Sequence, residues 1–288
     1  MKRHLIRLVK AFETFGFING CQVYYEYLFY RLVRSRKWDL RQMRLRPLSR
    51  PIWLRPGVSD WIAMERIFMD QEYDPISPQH DDYLNQLEQT IVSKGQIPVI
   101  IDCGANIGLS SIWLAERFPS SVVISLEPEP DNYRVLALNA SNFARIIPVN
   151  AAVSDRQGHV ALFNQGDTPW AWNTYETNSG GIRAISIPHL IAQNKDYSLM
   201  VVKVDIEGFE VNLLRSHTEW VETLPLLIFE MHDWRSPWAG TGHSFFSALA
   251  RVKRDYLIKG ENIFSYLHST EGPPSLIQAH EDVFAEAK

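Results

Sequence analysis

Two groups of residues in this 288-residue chain have the types and spacing to do chemistry. One is a turn, Asp102-Cys103-Gly104-Ala105-Asn106-Ile107-Gly108, joining a run of β-formers to a helical pattern. The other is acidic: Asp205 and Glu207 in VKVDIEGFE, then Glu230 and His232 in LIFEMHDW. Carboxylates beside an imidazole can orient a hydroxyl or take its proton, and His232 has the side chain whose ordinary pKa lies nearest neutrality. Asp205, Glu207 and Glu230 are also hard oxygen donors of the kind that hold a divalent cation. Their spacing along the chain is not diagnostic of a metal, so none is assigned from sequence.

The turn limits what lies against it. A dinucleotide pyrophosphate favours Gly-x-Gly-x-x-Gly at a helix N-terminus. Here Asn106 and Leu109 stand where that pattern wants glycine, which counts against a dinucleotide-dependent oxidoreductase. The spacing suits a nucleoside without phosphates that carries an amino-acid moiety. Gly104 and Gly108 would permit close backbone approach, and Asp102 could accept a hydrogen bond from an ammonium. Glu127, ending VVISLE before Pro128, is the carboxylate placed to take both hydroxyls of a ribose.

These residues need a sheet to position them. From about residue 98, apolar runs alternate with helix-like runs, the signature of β-α-β units. Strands are expected at PVIID, VVISLE, IIPVNAAV, LMVVKVD and LLIFEM, and helices at GLSSIWLAERF and DNYRVLALNASNF. YLIKGENIFSYL reads as a hairpin that adds an antiparallel strand. In an open parallel sheet the ligand binds beyond the carboxyl ends of the strands, so residues 102–108 and the ends of the fourth and fifth strands should share one edge.

Charge divides the chain differently. Residues 1–55 hold 13 Lys and Arg against Glu13, Glu26 and Asp39, while the remainder carries 16 basic and 30 acidic residues. The opening segment MKRHLIRLVKAFETFGFING is interrupted by Arg7 and Lys10 and lacks a small-residue cleavage site, and CQVYYEYLFYRLV is short of spanning length with Glu26 in its middle. Both read as amphipathic helices of a basic cap over residues 1–50, packed on the main domain or lying against an anionic membrane. RPLSRPIWLRP reads as an extended connector, with the boundary near Pro51 and a single domain over 51–288; GVSDWIAMERIFMDQEY restarts a helix with Ser59 or Asp60 as N-cap candidates. No nucleic-acid motif accompanies the charge, and nucleic acid is not expected as a partner. Cys21 and Cys103 read as free thiols, which suits a cytoplasmic protein, soluble or peripheral at the inner membrane face. Oligomeric state leaves no signal in the sequence.

IIDCGANIGLSS, SLEPEPDNYRVLALNA, VNAAVSDRQG and VVKVDIEGFEVNLL together resemble the motifs of the FkbM family of S-adenosylmethionine-dependent methyltransferases, and IWLRPGVSDWIAMERIFMDQEY is similar to the segment that often precedes that family's catalytic core. The resemblance runs from about Ile52 to Leu267. It implies an α/β fold: a Rossmann-like class I methyltransferase sheet, mostly parallel with a C-terminal antiparallel strand, to which the helical cap is added. It also implies S-adenosyl-L-methionine as cofactor, with Asp102, Gly104, Asn106 and Gly108 lining the methionine half, Glu127 on the ribose, and the segment Asn150-Ala151-Ala152 passing near the adenine. His232 is then the expected proton acceptor, with Asp205 and Glu207 beside it.

The acceptor is expected to be a small molecule or glycan. Trp170, Trp172 and Tyr175 in one loop, and Trp234, Trp238 and His243 in another, offer flat faces and polar groups suited to a sugar ring. A polyketide hydroxyl is the alternative acceptor, and a catalytically silent cofactor-binding protein the alternative from another class.

Overall fold

In the computed structural model, residues 2–32, 40–45, 48–55, 59–164, 172–177, 180–235 and 237–268 are described. Helix α1, Lys2–Leu32, bends at Gly16, whose positive φ of 74° suits a residue without a side chain. Strands β1 (Arg41–Met43) and β2 (Ile52–Leu54) pair antiparallel. Helix α2 (Asp60–Met64) continues as a π-helical turn, Glu65–Met69, and is followed by α3 (Pro78–Ser93). Ser59 occupies the cap position of α2 without a capping bond, while Asp60 is fully buried on Arg55, which donates to it from both backbone and guanidinium.

The alternating region follows as β3 (Ile97–Cys103), α4 (Leu109–Arg117), β4 (Val122–Leu126), α5 (Pro130–Ala140) and β5 (Ile146–Val149). Then come β6 (Ala152–Ser154), β7 (Gly158–Asn164), β8 (Trp172–Thr177), β9 (Ile182–Ser186), α6 (Ile187–Ala192), β10 (Tyr197–Val204) and α7 (Glu210–Leu213). The chain continues with β11 (Leu226–Glu230), α8 (Thr241–Leu249), β12 (Arg254–Lys259) and β13 (Asn262–Leu267).

Seven strands form the central sheet in the order β12-β13-β11-β10-β3-β4-β5. Pairings from β11 through β5 are parallel, and β13 runs antiparallel between β11 and β12, as the hairpin pattern implies. Period-two alternation sends Val99, Ile101 and Cys103 of β3 to one apolar cluster and Ile100 to the other, so the strand is buried on both faces. The chain leaves β3 toward β4 on one side, and β10 lies on the other. The turns after β3 and β10 therefore meet at the point where strand order reverses, which positions the site.

Two features depart from the sequence reading. IIPVNAAV is not one strand: β5 ends at Val149, and β6 joins a separate four-stranded sheet, β6-β9-β7-β8. The stretch read as a loop supplies β8 and β9 of that sheet, because only long-range pairing to β7 reveals them as strands. At the other end, β1 and β2 pair across residues 50 and 51, with Met43 opposite Ile52. Ala11, Phe15 and Val23 of α1 belong to the same apolar cluster as Ile100 and Ile228 of the sheet, so α1 and the sheet share a core.

Candidate active site at the strand edge

Beyond Cys103 the chain turns with Gly104 at φ 78°, and a β-carbon there would lie 1.8 Å from the Asp205 carbonyl oxygen. The glycine is needed because the turns after β3 and β10 touch there. Gly108 is needed for a similar reason: a β-carbon would meet Leu136 of α5 at 2.6 Å. Asp102 lies beneath the turn with no exposed surface. It accepts hydrogen bonds from Ser110 (2.6 Å) and Ser111 (2.7 Å), and the Lys203 ammonium stands 3.2 Å from its other oxygen. Asp102 and Gly108 hold the turn from beneath, and neither is among the residues that bound the two cavities at this edge. Lys203 also donates to the Gly104 carbonyl at 3.0 Å. Burial works against its charge, but the adjacent carboxylates, Asp102 foremost, hold its pKa well above the ordinary value.

Two cavities open at this edge. The smaller, about 80 Å³, is bounded by Glu127, Pro128, Ala152, Val153 and Phe209; the larger, about 200 Å³, by Ile62, Arg66, Glu72, Tyr73 and Glu230. Gly104, Asn106, Asp205 and Glu207 line both. Asn106 and Glu207 are held at φ 50° and 54°, a conformation that costs a side-chain-bearing residue roughly 1–2 kcal/mol and concentrates at functional sites. The Asn106 side-chain oxygen is buried without a hydrogen bond.

Glu127 follows β4 and is nearly buried. Its carboxylate accepts from the Asn106 amide (2.8 Å) and the Glu129 amide (2.9 Å). Burial outweighs these hydrogen bonds and pushes the carboxyl up to about 7. Asn150 instead donates to the Glu127 and Pro128 carbonyls at 2.9 and 3.3 Å, tying the loop after β5 to the turn after β4. Neither Asn150 nor Ala151 bounds the smaller cavity; the next two residues do, because the chain turns between β5 and β6.

His232, just past β11, is 2% exposed and surrounded by acids. Its Nδ1 is 2.8 Å from Glu210, and its Nε2 is 3.6 Å from Asp205, 3.6 Å from Glu207 and 4.0 Å from Glu230. Burial alone would lower its pKa, but the hydrogen bond to Glu210 and the neighbouring carboxylates raise it to about 9. An imidazole so held carries its proton at neutral pH, so His232 is not the ready base its ordinary pKa suggested. Burial and the charge of Asp205 push Glu207 up to about 7 and Glu230 up to about 8. Arg235 pairs with Glu207, and Arg66, on the π-helical turn, pairs with Glu72 and lies 3.9 Å from Glu230. A π-turn at a cavity wall is a recurrent device for aiming a side chain into a site.

The structure thus gathers Asp205, Glu207, Glu230 and His232 at one edge and places Glu127 across the same opening. Glu210, Lys203 and Arg66 were missed by the sequence reading. Lys203 had a signal, since a lysine two residues before Asp205 in an apolar strand shares that residue's face. Glu210 had a weak one in its place within DIEGFE, and Arg66 had none. Trp170 lies outside the described residues, as do the side chains of Trp172 and Tyr175. Trp234 and Trp238 are largely exposed, and His243 is exposed.

Among known proteins, 139 residues of the chain are 28% identical to hexuronic acid methyltransferase AglP of Haloferax volcanii, covering 46% of this chain and 56% of that protein. The match thus spans about half the length of that relative. Among solved structures, similarity extends to an O-methyltransferase from Bacillus cereus in complex with SAH (14% identity, 68% of this chain and 84% of that one, TM-score 0.38). It also extends to a fibrillarin pre-rRNA processing protein of Methanococcus jannaschii (11%, 83% and 87%, TM-score 0.40). Residues 102–256, more than half the chain, match the methyltransferase FkbM domain, and the glycine turn, Glu127 and the acidic cluster all lie within them. The chain belongs to the FkbM methyltransferase family.

Proposed function

We propose that the protein transfers the methyl group of S-adenosylmethionine to a hydroxyl of a saccharide. The observation that carries this reading is the junction of the two cavities on Asp205 and Glu207, a carboxylate edge shared by the cleft beside Glu127 and a larger pocket lined by charged side chains. The residues present fit the cofactor. Glu127 would offer a carboxylate to a ribose diol, Phe209 and Val153 apolar surface to an adenine, and Asn106, whose side-chain oxygen is buried without a partner, a polar group on the same cavity wall. The cofactor supplies an activated methyl group. Asp102, Gly108 and Asn150 act one layer back, by fixing the turns. Asp205 and Glu207, on the wall common to both cavities, would orient the acceptor hydroxyl, and the carboxylates around His232 would take its proton as the methyl group is transferred and the thioether product leaves. Holding both reactants in line accounts for much of the rate.

A saccharide is favoured over a polyketide by the likeness to a hexuronic acid methyltransferase and by the charged lining of the larger cavity, which suits a polyhydroxylated acceptor. Calorimetry with S-adenosylhomocysteine beside NADH tests the cofactor: binding of the first alone is expected, and binding of NADH alone would overturn the reading. Transfer of labelled methyl to a panel of uronic acids, neutral hexoses and macrolides then tests the acceptor.

A second reading concerns α1. Phe17 and Ile18 are 75% and 82% exposed beside the basic N-terminal segment, and we infer peripheral contact with an anionic membrane. No helix among the described residues is long and apolar enough to cross a membrane.

A further inference from the structure

We propose that Asp205, Glu207 and His232 bind a divalent first-row cation of the Mn²⁺ type at the junction of the two cavities. The ligand-capable atoms of these three residues all lie within 4.8 Å of one another. They come from the ends of two adjacent parallel strands, and the positive φ of Glu207 turns its carboxylate back toward His232.

The His232 ring supplies an observation separate from the acidic cluster. It is 2% exposed, its Nδ1 is held by Glu210 at 2.8 Å, and its Nε2 faces the cluster with no hydrogen bond among the described residues; the ring, which the carboxylates favour in its protonated form, must release the Nε2 proton to take an ion. The 3.6 Å separations from Nε2 to Asp205 and Glu207 exceed the roughly 2.7–2.9 Å of a charge-assisted N–H···O bond. Two donors each about 2.1 Å from one ion are separated by roughly 3.0–3.7 Å, depending on the angle at the metal, and the observed distances fall in that interval. Carboxylate, imidazole and metal in series is the usual outer-sphere arrangement, with the carboxylate fixing the ring so that the other nitrogen faces the ion. Glu210, with no exposed surface, occupies that outer position.

Glu230 points the same way. Its side chain is more than nine-tenths buried, it bounds the larger cavity, and its nearest cationic neighbours are Arg66 at 3.9 Å and His232 at 4.0 Å, with no hydrogen bond among the described residues. A mixed imidazole and carboxylate set favours Mn²⁺ or a neighbour in the series over Mg²⁺, which prefers oxygen alone. Arg235 donates to Oε2 of Glu207, the same oxygen that lies 3.6 Å from His232 Nε2, so an ion would either take the other Glu207 oxygen or displace the guanidinium. Coordination sites left open by three protein ligands would face the larger cavity, where hydroxyls of an acceptor could enter. Only this last role rests on the methyl-transfer reading; the ion site stands on side-chain geometry.

The test uses the full chain without cofactor or acceptor and reads Mn²⁺ by electron paramagnetic resonance. Loss of the free-ion signal on adding equimolar protein, saturating at one ion per chain, is expected. Asp205→Asn and Glu207→Gln should abolish it, and Glu210→Gln should weaken it about 10–100-fold. Circular dichroism confirms that the variants are folded, and either of the two ligand variants suffices if the other is not. A free-ion signal unchanged by the wild-type protein, or binding undiminished in a folded ligand variant, would overturn the site. S-adenosylhomocysteine calorimetry on the same samples keeps the outcomes separate, because cofactor binding without Mn²⁺ binding would remove the ion and leave the proposed function standing.

Discussion

Two polar clusters meet at the carboxyl edge of the sheet, one on β3 and β10 and the other just past β10 and at the end of β11, with Lys203, 3.6 Å from Asp205, touching both, and they are built on different principles. Around Asp102 each charge is matched: the carboxylate takes two serine hydroxyls on one oxygen and the Lys203 ammonium near the other, wholly out of solvent. Around His232 several carboxylates converge on one imidazole, two of them with raised pKa and Glu230 without a hydrogen bond. A buried charge with an opposite charge beside it holds a structure rigid, whereas like charges crowded round one cationic group persist where a ligand completes them. The same residue types therefore serve architecture at the first cluster and chemistry at the second.

The largest expected effect breaks the second cluster. Glu207→Gln should lower turnover about 10²–10⁴-fold, the range for losing a group that assists proton transfer, while the melting temperature stays close to wild type. Rates measured where chemistry is limiting check this, and a large loss of stability would erase the distinction between the clusters. The converse experiment removes Lys203. Lys203→Met strands the buried Asp102 charge and should destabilise the fold by about 3–5 kcal/mol, read from denaturant unfolding. A mild effect there would mean that the first cluster is not the structural one.

Glu127 sharpens the comparison, being both hydrogen-bonded and on the cavity wall. Glu127→Ala should weaken S-adenosylhomocysteine binding by roughly 1.5–3 kcal/mol through loss of a charge-assisted contact. Burial raises the pKa of this carboxyl to about 7, so its ionised form is depleted below that pH. Ribose hydroxyls donate best to the ionised form, so affinity should rise as pH increases from about 6 to 8 and level off above. Calorimetry across that interval reads the trend, and Glu127→Gln should flatten it. The smallest effect lies at α1: vesicles containing anionic lipid should retain the protein at low salt and release it as salt rises. Phe17→Ser with Ile18→Ser should weaken that retention without altering cofactor affinity, since both side chains point away from the core.

Much of the fold was legible in local pattern. Apolar runs bounded by turns marked the strands of the parallel sheet, and Lys-Gly-Glu-Asn between two such runs marked the β12–β13 hairpin, with Gly260 at φ 62° in the turn. The β6-β9-β7-β8 sheet was not legible, because its strands are short and identifiable only from partners distant in sequence.

Sequence by itself determined which residues reach the carboxyl edge of the sheet. Strand periodicity and the residues that end each strand place Asp102, Glu127, Asp205 and His232 there before any contact is known. Only the tertiary structure decided what each of them does. Asp102 lies wholly out of solvent beneath the turn, where Lys203, on the adjacent strand, pairs with it. Gly104 is required by the Asp205 carbonyl, a backbone atom about a hundred residues away. The pKa of His232 is raised rather than left near neutrality because carboxylates from two stretches, Asp205, Glu207 and Glu210 after β10 and Glu230 at the end of β11, converge on its ring. Residue type and spacing are local properties that a single chain displays, whereas charge state and access depend on neighbours that only folding brings within a few ångströms.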